Sequence, residues 1–208
     1  AGIASLPREA LSQHREPSFP GPYIVKPRFG GSSIGIEIVD DLATARTLAS
    51  TSPHLGAGAV LEPYRPHLVD LNISFRTWPA LELTEVERPL RAEGEATGLY
   101  SYQEKYLAGG GAGLTHAPRE FPAQAPPAVH TAAAELATAV AEVTRLTGIV
   151  RVDLLWDETT GDVFVNEVNT IPGALSLYLW APTHPALRVL EDALCEARDN
   201  PVVFPQSG

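Results

Sequence analysis

A chain of 208 residues has room for one large domain or two small lobes, and a hydrophobic share of 44% is enough for a core. The formal charge of -10 argues against nucleic acid and anionic membrane surfaces as partners. No signal peptide and no bilayer-spanning apolar run is visible, and the single cysteine, Cys195, excludes an intrachain disulfide and fits a cytoplasmic protein. Methionine is absent, position 1 included, so the sequence is expected not to open at a start codon.

In chain order, residues 1–22 are polar and dotted with prolines, with a short helix expected over Arg8–His14. Pro22–Lys26 reads as a buried strand, Phe29–Gly35 as a Gly/Ser loop and Ile36–Val39 as a second strand. Asp40 or Asp41 is placed to cap a helix running to Ala49. Ala59–Glu62 is a short strand. Asp70–Trp78 alternates apolar and polar residues and is expected to pair with Ala80–Val86. Residues 94–113, centred on three consecutive glycines, are expected to be mobile. Pro126-Pro127 opens an Ala-rich helix to about Leu146, with Gly148 as its stop. A hairpin over 148–173 and a final helix, Ala186–Ala197, complete the chain. Antiparallel hairpins with few helices give an α+β class, divided into an entry segment 1–21, a small lobe 22–68 and a large lobe 69–208.

The hairpin carries most of the chemistry. Alternation puts Arg151 and Asp153 on one face of the first strand and Glu167 and Asn169 on one face of the second. Paired in register, two carboxylates, an amide oxygen and a guanidinium meet. Such hard oxygen donors suit Mg²⁺, which commonly bridges one or two carboxylates to substrate phosphates. A solvated cross-strand salt bridge is the plainer explanation. Leu154, Val163 and Val165 on the same strands make the acids half-buried, and buried acids need a reason, so the metal reading is preferred.

Other groups are weaker alone. The run from Lys26 to Gly35 is a strand, a glycine-rich loop and a strand. Glycines let backbone N–H groups approach phosphate oxygens, with Lys26 as a fixed positive charge, although such loops are often only structural. Glu62, Pro63 and Tyr64 end a strand and can offer contacts to an adenine edge, with Asp70 for a ribose. On the residues alone they read as a strand end with solvated acids. Lys105 with Tyr106, in the segment expected to be mobile, reads either as a lid over a γ-phosphate or as an exposed charged turn. The Gly173 N–H either serves an oxyanion or belongs to an ordinary Pro-Gly turn. The six histidines read as surface residues, and Trp78, Trp156 and Trp180 as packing.

Residues 24–35 (IVKPRFGGSSIG), 60–64 (VLEPY), 102–107 (YQEKYL) and 148–173 (GIVRVDLLWDETTGDVFVNEVNTIPG) together resemble the ATP-grasp superfamily, and within it the D-alanine–D-alanine ligase family. The last block is the most specific. The resemblance implies two α+β lobes, with mainly antiparallel sheets and flanking helices, clamping ATP. It implies a ligase that makes an acyl phosphate from a carboxylate and passes the acyl group to an amine, as in dipeptide formation for the peptidoglycan cell wall. It implies small amino-acid substrates and a homodimer. Carried over, Lys26, Ser32 and Ser33 contact the nucleotide phosphates, Glu62, Pro63 and Tyr64 the adenine, and Asp70 the ribose. Lys105 and Tyr106 close the lid, 94–113. Asp153, Glu167 and Asn169 hold Mg²⁺ or Mn²⁺. Arg151 and the Gly173 N–H stabilise the transition state, and Tyr178 and Leu179 line the acceptor site.

Three departures qualify that pattern. The amino-terminal domain with its first-substrate contacts is not represented, nor is a nucleotide lysine that such ligases carry just upstream of Ala1. Tyr178 stands where the family has a serine for the acceptor's carboxylate, which opens the acceptor to something other than D-alanine. The alternatives are therefore a non-catalytic or fragmentary nucleotide-binding module, or an ATP-grasp ligase for another amino acid or peptide.

Overall fold

The computed structural model describes residues 2–30, 34–90 and 118–201. Ser32, Ser33, Lys105, Tyr106 and the expected lid lie outside the described residues. The described chain falls into two compact units, one of residues 5–30 and 34–67, the other of 2–4, 68–90 and 118–201.

The smaller unit is a four-stranded antiparallel sheet with one helix. Its elements are β1 (Glu9–Ala10), β2 (Tyr23–Pro27), β3 (Glu37–Val39), α1 (Leu42–Thr51) and β4 (Ala59–Pro63), with strand order β1-β4-β2-β3. Tyr23, Val25, Val39 and Leu61 form its core with Ala45, the fully buried residue of α1. Asp41 caps that helix: its Oδ1 accepts the Thr44 N–H at 2.8 Å. This satisfies one of the orphan donors at the helix start. The expected Arg8–His14 helix is not formed. Glu9 and Ala10 pair with Leu61 and Val60, and the Leu11 N–H reaches the Ala59 carbonyl at 2.9 Å. An open sheet edge satisfies more backbone groups than one isolated helical turn can, and a helix that short is marginal alone.

The larger unit contains β5 (Leu68–Arg76), β6 (Glu82–Leu83), β7 (Arg88–Pro89), β8 (Arg119–Glu120), α2 (Pro127–Thr144), β9 (Ile149–Asp157), β10 (Val163–Asn169), a short helical turn α3 (Leu177–Trp180) and α4 (Ala186–Asp199). Its antiparallel sheet runs β10-β9-β5-β6, with β7 and β8 as a separate ribbon. Period-2 alternation splits the two long strands cleanly. Leu71, Ile73 and Phe75 of β5 and Val150, Val152 and Leu154 of β9 are buried on one face. Val129, Ala133, Ala137 and Val140 of α2 join the same cluster. Alanines at those positions let helix and sheet approach closely. The opposite face carries Asn72, Ser74, Arg151 and Asp153.

The hairpin between β9 and β10 is irregular. Val165 pairs with Leu154, but Glu167, not Asn166, pairs with Asp153. Asn166 is thus the extra residue of a β-bulge. Simple alternation from Val163 and Val165, which belong with the core, would send Glu167 and Asn169 into the core as well. The bulge turns them to the polar face and Val168 toward the apolar one, where it packs against the core cluster. The outer edge of β10 is partly covered, because the Val165 N–H donates to the Ala4 carbonyl at 2.9 Å.

Helix α4 is tied to the sheet by buried charges. Arg76 at the end of β5 reaches Asp192 at 2.5 Å and Glu82 at 2.6 Å, and stacks on Trp180 with its guanidinium carbon 5.3 Å from the ring centroid. Glu196 accepts from the Thr77 hydroxyl at 2.6 Å and from the Gly148 N–H at 2.8 Å. His184 and His130 are half-buried, contrary to a surface reading: His184 lies 3.1 Å from an Arg76 nitrogen and His130 3.1 Å from the Ala123 carbonyl.

Gly148 was the expected stop of α2, but the helix ends at Arg145, which takes the left-handed conformation (φ 53°) and bonds its N–H to the Ala141 carbonyl at 3.0 Å. A left-handed non-glycine residue costs roughly 1–2 kcal/mol. Arg145 is exposed. Arg145→Gly should therefore stabilise the chain by about 0.5–1 kcal/mol once the entropy of the added glycine is subtracted. A urea midpoint that rises at unchanged slope is the expected result, and a lowered midpoint contradicts it.

Candidate active site

The polar face of the larger sheet is organised in rows. Asn72, Asp153 and Glu167 are paired neighbours across three strands, and Ser74, Arg151 and Asn169 form the next row. Paired residues in an antiparallel ladder lie roughly 4.5–5.5 Å apart at Cα, so all six side chains share one small patch. Ser74 is sealed beneath it, donating to the Val150 carbonyl at 2.9 Å and accepting from the Trp180 indole at 3.2 Å.

Arg151 grips Asp153 with two parallel bonds, Nε to Oδ1 at 2.6 Å and Nη2 to Oδ2 at 2.9 Å. Their side chains keep 13% and 14% of their exposure, so the pair is largely withdrawn from solvent. Burial pulls the Arg151 pKa down, but the bond to Asp153 and its charge outweigh this, and the guanidinium ends above its ordinary value. Glu167 is exposed, which corrects the expectation of two half-buried acids. Asn169 is half-buried, and its amide nitrogen has no hydrogen-bond partner among the described residues.

Among the described residues no three His, Cys, Asp or Glu side chains converge. A cation here would have two carboxylates and an amide oxygen as its protein donors. Mg²⁺ tolerates that number, because it keeps several waters and takes the remaining oxygens from substrate phosphates. The ligand Asn169 would offer is its amide oxygen; the nitrogen is a hydrogen-bond donor and takes no part in holding a cation. The donor set fits the ion.

Beyond β10, Pro172 and Gly173 lead into a tight turn, Gly173–Ser176, in which Ala174, Leu175 and Ser176 all have positive φ (49°, 50° and 52°). Three successive left-handed residues without a glycine are costly, roughly 1–2 kcal/mol each. Strain of this kind gathers at functional turns. Tyr178 follows in α3. Leu179 beside it is only 1% exposed, so of the two expected acceptor-site residues Tyr178 alone has side-chain surface to offer.

Tyr178 reaches residues that no sequence pattern singled out. Its ring lies under Arg119, with the guanidinium carbon 4.3 Å from the centroid, and its hydroxyl is 3.5 Å from Glu87 Oε2. Glu87 is buried, bonded to Asn72 Nδ2 at 2.9 Å and paired with Arg119 at 3.0 Å. Burial pushes the Glu87 carboxyl up, against the pull of Asn72, Arg119 and Arg151. Burial also raises the Tyr178 phenol, with the Glu87 charge adding to it, so the hydroxyl stays protonated. Asn72 was readable in principle, two residues beyond Asp70 on an alternating strand. Glu87 and Arg119 lie outside any periodic run and meet only through the fold.

In the smaller unit, Lys26 on β2 reaches diagonally to Glu62 on β4, Nζ to Oε2 at 2.6 Å, and Arg8 binds the other Glu62 oxygen. Glu62 is 3% exposed, so it is not a solvated acid at a strand end. Two cations on one buried carboxylate leave the group positive overall. Pro63 and Tyr64 are half-buried at the end of β4, and the Tyr64 N–H bonds the Pro22 carbonyl at 2.8 Å. Asp70 is half-buried on the polar face of β5, opposite Leu155. At the far side of the glycine-rich loop, Gly35 has φ 74°, and a Cβ there would sit 2.6 Å from that of His54, so only glycine fits.

Two antiparallel α+β units of this kind define an ATP-grasp fold. D-alanyl-alanine synthetase A of Vibrio cholerae superposes on 95% of this chain and 61% of its own, with a TM-score of 0.74 at 22% identity. VanG D-Ala:D-Ser ligase of Enterococcus faecalis covers 93% of this chain and 57% of its own, with a TM-score of 0.69 at 20% identity. The family described as D-ala D-ala ligase C-terminus matches residues 4–184, and the chain belongs to it. The D-alanine–D-alanine ligase of Acidiphilium cryptum is 33% identical over 179 residues, covering 82% of this chain and 54% of the relative. That of Gluconobacter oxydans is 30% identical over 154 residues, 74% of this chain and 47% of the relative. The chain thus spans about half the length of the curated relatives it matches. No helix of the described residues is long and apolar enough to cross a membrane.

The Glu87 shift makes a prediction about pH. A carboxyl raised by folding holds its proton more tightly in the folded chain than in the unfolded one. Its contribution to stability is therefore full below the ordinary value of 4.5 and is lost as pH climbs through the higher folded value. Glu87→Gln removes that dependence. Urea midpoints measured from 4.5 upward should fall more steeply for the parent than for the variant, and parallel profiles contradict the assignment.

Proposed function

We propose that the chain carries the nucleotide- and metal-handling part of an ATP-dependent ligase that joins a carboxylate to an amine, with D-alanine–D-alanine formation for the peptidoglycan cell wall as the favoured reaction. The observation that carries this reading is the pair of rows Asn72–Asp153–Glu167 and Ser74–Arg151–Asn169, brought onto one face by the bulge at Asn166. Family membership supports the same reading.

In this reaction a carboxylate oxygen of the first substrate attacks the γ-phosphorus, the bond to the bridging oxygen breaks, and ADP leaves an acyl phosphate. The amine of the second substrate attacks the acyl carbon, its carbonyl electrons move onto oxygen, and collapse expels phosphate while the nitrogen loses a proton. Phosphoryl transfer asks chiefly for positioning and charge neutralisation. Asp153, Glu167 and Asn169 hold Mg²⁺ or Mn²⁺, which when bound neutralises phosphate oxygens. Arg151 and the Gly173 N–H take the oxyanion of the tetrahedral stage. Lys26, Ser32, Ser33, Glu62, Pro63, Tyr64 and Asp70 bind the nucleotide, with Lys105 and Tyr106 as the lid pair. Tyr178 faces the acceptor. A second reading, a nucleotide-binding part whose catalysis needs further sequence, draws on the chain's covering about half of its relatives.

Calorimetry with ATP and Mg²⁺ should give binding, and Asp153→Asn or Glu167→Gln should weaken it about tenfold or more, the worth of one charge-assisted contact. Equal affinity in parent and variants contradicts the metal role. ADP release across a panel of amino acids separates the two readings: amino-acid-dependent release supports the ligase, and binding without it supports the module.

A further inference from the structure

The reaction as written leaves Arg8 without a task, although it shares a buried carboxylate with Lys26. The smaller sheet shows what the sharing builds. Tyr23, Val25, Ala59 and Leu61 belong to the core on the α1 side. Alternation sends Ile24, Lys26, Val60 and Glu62 to the other face. The edge strand adds two residues to that face. Ala10 pairs with Val60 and Glu9 with Leu61, and one step further along the same ladder Arg8 stands opposite Glu62, where the two are bonded. The face therefore has two rows, Ile24–Glu62–Arg8 and Lys26–Val60–Ala10.

Lys26 and Arg8 occupy opposite corners of this patch, two strands apart, and Glu62 between them holds both. Lys26 Nζ meets Oε2 at 2.6 Å and Arg8 Nε meets Oε1. One cation already balances the carboxylate. The second brings a like charge into the cluster, and the three side chains together carry one net positive charge. An anion settled between the corners offsets that charge. Ile24 and Val60 are half-buried and give the patch an apolar floor. An apolar floor with a few convergent charged groups is the make-up of a small-molecule site, and it suits a flat heteroaromatic ring joined to phosphates. Arg8 keeps 48% of its side-chain exposure against 3% for Glu62, so its guanidinium lies at the rim of the patch. Arginine presents five N–H donors in a fixed fork, so a bond to Glu62 through Nε is compatible with one to a phosphate.

We propose that Arg8 is a polyphosphate-binding residue which, oriented by Glu62, forms with Lys26 a two-cation seat for the phosphates of a nucleotide on the face of the smaller sheet opposite α1. The proposal rests on the ligase reading for the identity of that nucleotide, ATP, but not for the seat itself. A purely structural Arg8, holding β1 at the sheet edge, would matter equally for every ligand of this face.

The test titrates the full chain, by calorimetry and by backbone amide shifts, with three probes: ATP with Mg²⁺, inorganic tripolyphosphate, and adenosine. Arg8→Gln should weaken ATP and tripolyphosphate about tenfold, the scale of one charge-assisted contact, and leave adenosine unchanged. Arg8→Lys should recover part of the loss, because a lysine keeps the charge without the fork. Unaltered ATP and tripolyphosphate affinity in Arg8→Gln, or an equal loss for adenosine, overturns the proposal. If Arg8→Gln does not fold, Arg8→Lys decides: a loss for ATP and tripolyphosphate beyond that for adenosine supports the seat, and none overturns it. A parent that takes tripolyphosphate but not ATP counts against the ligase reading, while the tripolyphosphate arm still judges Arg8. A parent that takes neither overturns both.

Discussion

One extra residue in one strand governs the chemistry of the larger unit. Side chains alternate with a period of two, so a strand has no means of presenting Val163 and Val165 to the core and Glu167 and Asn169 to the opposite face unless its phase changes between them. Asn166 makes that change. The same shift returns Val168 to the apolar side, so the core loses no continuity. Packing on one face and polar chemistry on the other are thus coupled through a single backbone irregularity, and bulges commonly serve to re-aim side chains beside active sites.

The polar face is not a set of independent groups. Asp153 is shared between the row it forms with Asn72 and Glu167 and the Arg151 guanidinium, Asn72 connects β5 to Glu87, and Glu87 connects Arg119 to Tyr178. Largely buried charges persist there because each has an opposite partner within hydrogen-bond range. The strained turn Ala174–Leu175–Ser176 is what carries the chain from the end of β10 into α3, where Tyr178 lies within reach of Glu87 and Arg119. Leu175 of the turn and Leu177 beyond it pack against a second apolar cluster, Ile149, Trp180 and Val189, which joins the start of β9 to α3 and α4.

Much of this architecture was legible in the sequence where periodicity speaks directly. The alternation of β5 and β9, the Ala-rich helix opened by Pro127 and the Asp41 cap follow from local rules, as does the juxtaposition of Arg151 with Asp153. The misreadings have a common cause in tertiary competition. Arg8–His14 was drawn to a free sheet edge, and α2 stopped at Arg145 because a left-handed residue could close the helix before Gly148. The bulge itself has no sequence signature, since Asn166 is neither a glycine nor flanked by a break in hydrophobicity. Glu87 and Arg119 gain meaning only through contacts distant in sequence, and the burial of Glu62 depends on Arg8 and Lys26 arriving from other strands.

The account stands or falls on where a divalent cation sits. Paramagnetic broadening by Mn²⁺ in the presence of ATP reads this directly. The account predicts that the Asn169 side-chain amide and the backbone amides of Asp153 and Glu167 broaden first and together. Loss of signal centred elsewhere, with those three groups untouched at saturating Mn²⁺ and nucleotide, would contradict it.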